Sequence, residues 1–201
     1  PPEVTGQMVE NFERGGAAIN ALANAFGLSL NVTPLEIDRP TDDITKASAM
    51  TEGEVLAALN VGASAVDPNA DIVILGEMGI GNTTTAAAVC AATFGGIGHE
   101  WAGPGTGLDQ AGVTRKGEVI DEALRFHAEK FDDPSAILMA VGGRELAAIA
   151  GAALQARMNG IPVILDGFVA GAAVAPFARF IPNVLQHCIA GHCSAEPGHR
   201  R

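Results

Sequence analysis

The stretch Asp71-Ile72-Val73-Ile74-Leu75-Gly76-Glu77-Met78-Gly79-Ile80-Gly81-Asn82-Thr83-Thr84-Thr85 decides the fold. Its apolar run, closed by Gly76, predicts a strand buried on both faces of a parallel sheet. The three glycines and Asn82 then lead into an Ala-rich segment, predicted as a helix from near Asn82 to about Phe94. The same order recurs at Ile161–Leu165, closed by Asp166-Gly167 and followed by a helix over Val169–Phe180. His187–Ala190 reads as a short third strand ending at Gly191. Repetition of strand, glycine loop and helix is the signature of βαβ units. The predicted fold class is therefore α/β, a doubly wound, mostly parallel sheet flanked by helices.

Outward from this centre, Pro2–Phe26 reads as two helices with a tight junction at Gly15-Gly16. These helices over residues 1–26 are expected to belong to a small helical subdomain, with no boundary between two independent domains elsewhere. Leu28–Ile37 gives a weak strand signal, interrupted by Pro34, and Arg39–Ser48 reads as polar loop. Thr51 with Glu54 forms a capping box for a helix to about Val66. Gly95–Gly112 reads as a glycine-rich loop holding Trp101, followed by helices over Val113–Lys130, Ser135–Val141 and Arg144–Asn159.

Of the 201 residues, 48% are hydrophobic and 17% charged, which excludes a disordered chain and supports one sizeable core. A net charge of −11 has the wrong sign for a nucleic-acid binder, and 4% aromatics leave few stacking platforms. The partner expected is a small molecule. Three cysteines suit a reducing compartment, and the apolar runs are too broken to span a membrane, so a cytoplasmic protein is expected. The opening Pro1-Pro2 and the polar close at Gly198–Arg201 suggest a piece of a longer chain.

Ligands of an open parallel sheet sit beyond the carboxyl ends of its strands, here the loops after Leu75, Leu165 and Ala190. In the first, Gly79 and Gly81 permit close backbone approach, and the helix start with Thr83 and Thr84 favours a phosphate. A tight turn capped by Asn82 is the competing reading. The loop lacks the Gly-Lys-Ser/Thr of a Walker loop and has its glycines in the wrong order for a dinucleotide fingerprint. Glu77 would repel phosphate unless it faced a ribose hydroxyl or a reacting N–H; otherwise it bonds loop amides. Lys116, read as lying near a helix start where a cation opposes the dipole, calls for a compensating anion or is half of a solvated basic pair with Arg115. Asp166-Gly167 suits a ribose hydroxyl or a plain turn, and Ser194 is a candidate hydroxyl donor. The cluster His187-Cys188, His192-Cys193 and His199 lacks paired zinc-ligand spacing, so no metal is assigned.

GEMGIGNTTTAAA at Gly76–Ala88, TGLDQAGVTRK at Thr106–Lys116, GGRELAAIAGA at Gly142–Ala152, PVILDGFVAGAA at Pro162–Ala173 and AGHCSAEPGHR at Ala190–Arg200 resemble the nicotinate-nucleotide–dimethylbenzimidazole phosphoribosyltransferases of cobalamin lower-ligand synthesis. The opening PPEVTGQMVENFERGGAAIN is similar to that family as well. The resemblance implies one incomplete phosphoribosyltransferase domain over residues 1–201, assembled as a homodimer and needing no cofactor. It implies transfer of phosphoribose from nicotinate mononucleotide to 5,6-dimethylbenzimidazole, giving α-ribazole 5′-phosphate and nicotinate. Carried over, Gly79, Gly81, Asn82, Thr83 and Lys116 would hold the phosphate, with Asp166, Gly167 and Ser194 near the nucleotide and Gln7 near the benzimidazole. The family's general-base glutamate is expected C-terminal to AGHCSAEPGHR, past Arg201, and an N-terminal segment before PPEVTGQMV is expected as well. Glu77 is then the one ligand-facing carboxylate left for a catalytic role. A non-catalytic sugar-phosphate-binding module and a nicotinamide-dependent oxidoreductase stay open as alternatives.

Overall fold

A computed structural model describes residues 3–201, and the sheet at its centre has three parallel strands in the order β1 (Val73–Leu75), β2 (Val163–Leu165), β3 (Cys188–Ala190). Val73, Val163 and Cys188 are in register, as are Leu75, Leu165 and Ala190. Each strand is shorter than its apolar run. Pro162 shows why: its carbonyl accepts from the Val73 N–H (3.0 Å), but without an N–H of its own it cannot extend the ladder. The expected burial of β1 on both faces is corrected. Val163 and Leu165 point to the buried side, whereas Ile74, Ile164 and Ile189 align on the other, and Ile74 and Ile189 are 49% and 62% exposed. A continuous apolar run does not tell a strand covered on both faces from one covered on a single face.

The chain divides into two compact units. The first, up to Pro40 together with Met78–Ile80, contains α1 (Glu3–Glu13) and α2 (Ala18–Phe26). Gly15, at φ +76°, makes the turn between them, and the Asn20 side chain donates to the Phe12 carbonyl (3.0 Å) while accepting from the Ala17 N–H (3.0 Å). Leu28–Ile37 forms no strand, contrary to expectation. Pro34 cannot donate to a ladder, and Glu36 adopts φ +45°.

The second unit holds the sheet and the remaining helices. Helix α3 (Glu52–Ser64) starts at the predicted box, with the Thr51 N–H donating to Glu54 Oε2 (2.8 Å) and the Glu54 N–H to Thr51 Oγ1 (3.3 Å). It packs on α8 (Arg144–Asn159) at a separation set by two glycines: a Cβ on Gly62 would lie 1.8 Å from the Ala148 carbonyl oxygen, and one on Gly151 2.0 Å from that of Leu59. Helix α4 (Asn82–Phe94) lies against α9 (Gly167–Phe180), and the alanine run Ala86–Ala88 is wholly buried, which is why so many small residues occur there. The expected long loop contains a short helix, α5 (Gly98–Trp101), and Trp101 is buried, its Nε1 donating to the Gly95 carbonyl (2.9 Å). Helix α6 (Gln110–Phe126) begins earlier than predicted because Asp109 caps it, its Oδ1 accepting from the Gly112 N–H (2.8 Å). It ends where His127 turns inward to the carbonyls of Ile44 (2.9 Å) and Ala47 (3.1 Å). Helix α7 (Pro134–Val141) precedes α8, and a 3₁₀ turn spans Pro197–Arg200.

Candidate functional site

Because the strands are parallel, their carboxyl ends share one edge of the sheet, and α4 and α9 both start there. The Asp166 N–H donates to the Leu75 carbonyl and the Gly191 N–H to that of Leu165, each at 2.9 Å, so the three loops leave the sheet side by side. Gly76 lies against Asp166, where a Cβ would stand 3.4 Å from Oδ2. Asp166 Oδ1 is 3.5 Å from His192 Nδ1, which joins the second loop to the third.

Glu77 is half-buried at the entrance to α4, and Asn82 Nδ2 donates to its Oε2. The Asn82 cap of the competing reading is not formed. Gly81, at φ +81°, occupies the N-cap position without a side-chain bond, and Asn82, one residue inside the helix, turns its amide to Glu77 instead. Burial pushes the Glu77 carboxyl up to about 7, against the Asn82 bond and with the charges of Glu145 and Asp166 adding to the rise. Glu145, in the first turn of α8, is likewise raised by burial, and the Asn82 amide also hydrogen-bonds its carboxyl. Sequence reasoning missed Glu145. Its signal is a carboxylate two residues after Gly142-Gly143, inside the GGRELAAIAGA motif.

Lys116 is 4% exposed, so it is no solvated member of a basic pair, although Arg115 beside it is exposed. Its Nζ donates to Thr83 Oγ1 (2.9 Å) and to the Gly103 carbonyl (3.0 Å). The expected position near the helix start is corrected as well: with α6 beginning at Gln110, Lys116 lies in the second turn, where the dipole argument has faded. Burial lowers its proton affinity, and the nearby Glu196 carboxylate works the other way. Thr83 and Asn82 are neighbours on the first turn of α4. That uncapped turn is therefore bounded by a buried cation through one residue and by a carboxyl of near-neutral affinity through the other. A cavity of about 530 Å³ beside Lys116 is lined by Thr84, Leu108, Asp109 and Arg115.

The other predicted residues fall as follows. Gly79 is half-buried within Met78–Ile80, and Gln7 is exposed on α1; both belong to the first unit. Asp166 is exposed at the N-cap of α9 and makes no cap bond, and Gly167 opens the helix at φ +79°. The Ser194 N–H donates to His199 Nδ1 (3.0 Å), and its hydroxyl oxygen accepts from the Glu196 N–H (3.3 Å). His187 contacts the Ala153 carbonyl through Nε2 (2.9 Å), Cys188 stands beside it, and Cys193 is exposed. Among the described residues no three His, Cys, Asp or Glu side chains converge as a metal set. Glu196, buried next to Lys116, is a second site carboxylate that sequence reasoning missed.

A family model described as phosphoribosyltransferase matches residues 1–201. The chain is 57% identical over its full length to the nicotinate-nucleotide–dimethylbenzimidazole phosphoribosyltransferase of Novosphingobium aromaticivorans and 55% to that of Rhodobacter capsulatus. It spans 60% of the length of each. The crystal structure of CobT from Thermus thermophilus superposes over 100% of this chain and 66% of its own, with a TM-score of 0.84 and 36% identity. With the family model matched from end to end and the fold shared with a solved relative, the chain belongs to this phosphoribosyltransferase family.

Proposed function

We propose that the protein transfers phosphoribose from nicotinate mononucleotide to 5,6-dimethylbenzimidazole, the reaction that the names of its relatives describe. The observation that carries this reading is the first turn of α4, where Thr83 meets the buried Lys116 ammonium and Asn82 meets Glu77. A phosphate at that turn would face a cation and free helix N–H groups, and Gly81 leaves the backbone bare beside it. Asp166, Gly167 and Ser194 would lie toward the ribose; a role for Gln7, in the first unit, at the acceptor base is carried by the family resemblance alone.

Nicotinate leaves a positively charged N-glycosidic bond as a neutral ring, so its departure needs no acid. The ribose carbon gains positive character that the carboxylates of Glu77 and Asp166 favour. The benzimidazole attacks through one ring nitrogen and loses the proton of the other. Glu77, with an affinity of about 7, is suited to accept that proton near neutrality. Attack opposite the leaving group inverts the sugar carbon and gives the α-anomer. We place the protein in the cytoplasm, as a homodimer; no helix among the described residues is long and apolar enough to cross a membrane, and its three cysteines are free.

The test is incubation with nicotinate mononucleotide and 5,6-dimethylbenzimidazole, following nicotinate by chromatography and the anomeric proton of the product by NMR. Acceptor-dependent nicotinate release with an α-anomeric product is the expected result for a chain extended to the length of its relatives, and the same product from this chain alone would assign the base to Glu77. Mononucleotide binding without any release, in this chain and in one extended to the length of its relatives, would reduce the protein to a sugar-phosphate-binding module.

A further inference from the structure

Glu196 is a buried acid without a place in the reaction above. Its Oε1 accepts from the Gly105 N–H (2.7 Å), and its Oε2 is buried with no hydrogen-bond partner. The loop Gly103-Pro104-Gly105 is fitted around it. A Cβ on Gly103 would come within 2.1 Å of Oε2, and one on Gly105, at φ +54°, would stand 3.0 Å from Thr83 Oγ1 and 3.9 Å from Lys116 Nζ. Gly103 presents the carbonyl that accepts from Lys116. One three-residue loop, stiffened by a proline, is thus pinned at one end by Glu196 and holds the ammonium at the other. The acid is itself held from behind, its N–H donating to Ser194 Oγ and its carbonyl accepting from the His199 N–H (3.0 Å).

We infer that Glu196 is a positioning residue for Lys116: through the Gly103–Gly105 loop it fixes the ammonium against Thr83, and its carboxylate restrains the charge that an arriving phosphate would meet. The inference rests on the phosphate reading of the α4 turn. An unpartnered carboxylate oxygen next to a buried cation restrains the cation as well as holding it, because any phosphate that arrives competes with that carboxylate for the same charge. The two parts of the role separate chemically. Glutamine at 196 keeps an acceptor for the Gly105 N–H and removes the charge, while alanine removes both. Of the other charged groups nearby, Asp109 and Arg115 flank the cavity beside Lys116, and His99 of α5 packs against Gly117; Glu196 is the one whose charge bears on Lys116.

The experiment compares the wild-type chain with Glu196→Gln and Glu196→Ala in two readouts. The first is a pH titration of the Lys116 ε-carbon by NMR of ¹³C-labelled lysine, assigned with Lys116→Met. The second is calorimetric affinity for inorganic phosphate and for nicotinate mononucleotide. In Glu196→Gln, Lys116 is expected to titrate at lower pH than in the wild type, with phosphate affinity at neutral pH equal to or tighter than wild type. In Glu196→Ala the affinity falls at least tenfold. An unmoved Lys116 titration in Glu196→Gln overturns the inference, as does an equal loss of affinity in both variants. Should Glu196→Ala fail to fold, the Lys116 titration and the affinity of Glu196→Gln still decide. A shifted titration in a protein whose wild type binds neither ligand would leave the Glu196–Lys116 coupling standing and remove the phosphate reading.

Discussion

Replacing Glu77 by glutamine should stabilise the protein, and increasingly so as the pH rises. Burial lifts the folded-state affinity of this carboxyl from an ordinary 4.5 to about 7. An acid whose affinity is raised on folding binds its proton more tightly in the native state, so the native state loses stability as pH climbs through that interval. The penalty is absent below the unfolded value and complete above the folded one. At about 1.4 kcal/mol for each tenfold change in affinity, the gap corresponds to roughly 3 kcal/mol above pH 8. Glutamine stays neutral at every pH and still accepts from Asn82. The assay is urea unfolding of wild type and Glu77→Gln at pH 5 and pH 8.5. The difference between the two proteins should widen by about 2 kcal/mol across that range, or several degrees in Tm. A difference that is constant with pH, or a variant that loses ground at high pH, would refute the desolvation argument and with it the proton-accepting role.

Three other outcomes follow from the same geometry. If Glu77 accepts the benzimidazole proton, kcat/KM for the acceptor should rise with pH through about 7 and level off above it, because only the carboxylate can take the proton; a flat profile would place the base elsewhere. Gly62→Ala should cost on the order of 3 kcal/mol, since its Cβ would lie 1.8 Å from a backbone oxygen of α8 that no rotamer change can move; thermal unfolding reads the effect, and an unchanged Tm would mean that the helices part freely. Glu54→Ala keeps the Thr51 Oγ1 cap on the residue-54 N–H but removes the acceptor of the Thr51 N–H and a carboxylate 2.7 Å from the Nη2 of the buried Arg144, and should cost about 3 kcal/mol in urea unfolding. A loss below about 1 kcal/mol would mean that Arg144 finds equivalent partners elsewhere.

Most of the element order was legible in the sequence because the longer helices and the three strands carry local signals, whereas the short α5 within Gly95–Gly112 does not. The Thr51–Glu54 box opens α3, and the helices expected over Ser135–Val141 and Arg144–Asn159 appear as α7 and α8, α7 starting one residue earlier. Strand coverage was not legible, since Ile74 lies in an apolar run and yet faces outward, and such a run carries no record of what lies opposite. The Leu28–Ile37 segment failed for a related reason: alternating apolar residues make a strand only where a neighbouring strand can pair. At the candidate site, Thr83, Asn82 and Glu77 were singled out because they sit in or beside the glycine loop after β1, and Lys116 because it follows the glycine-rich loop ahead of α6. Glu145 and Glu196 were not. Each is a common residue whose significance comes from burial and from a partner distant in the chain, Asn82 for the first and Gly105 and Lys116 for the second; the Gly142-Gly143 pair marks the position of Glu145 but not its partner.

If the Lys116–Thr83 corner at the start of α4 holds the phosphate of a mononucleotide, as proposed, the ammonium should set the preference for phosphorylated over unphosphorylated ligand. The most direct test is a calorimetric titration of the wild type and of Lys116→Met with nicotinate mononucleotide and with the corresponding nicotinate riboside. Methionine keeps most of the bulk of the side chain and removes the charge, so packing is disturbed little. The wild type should bind the mononucleotide at least tenfold more tightly than the riboside, and Lys116→Met should abolish this preference while leaving riboside binding unchanged. Equal affinities in the wild type, or a preference that survives in Lys116→Met, would contradict the proposed phosphate site.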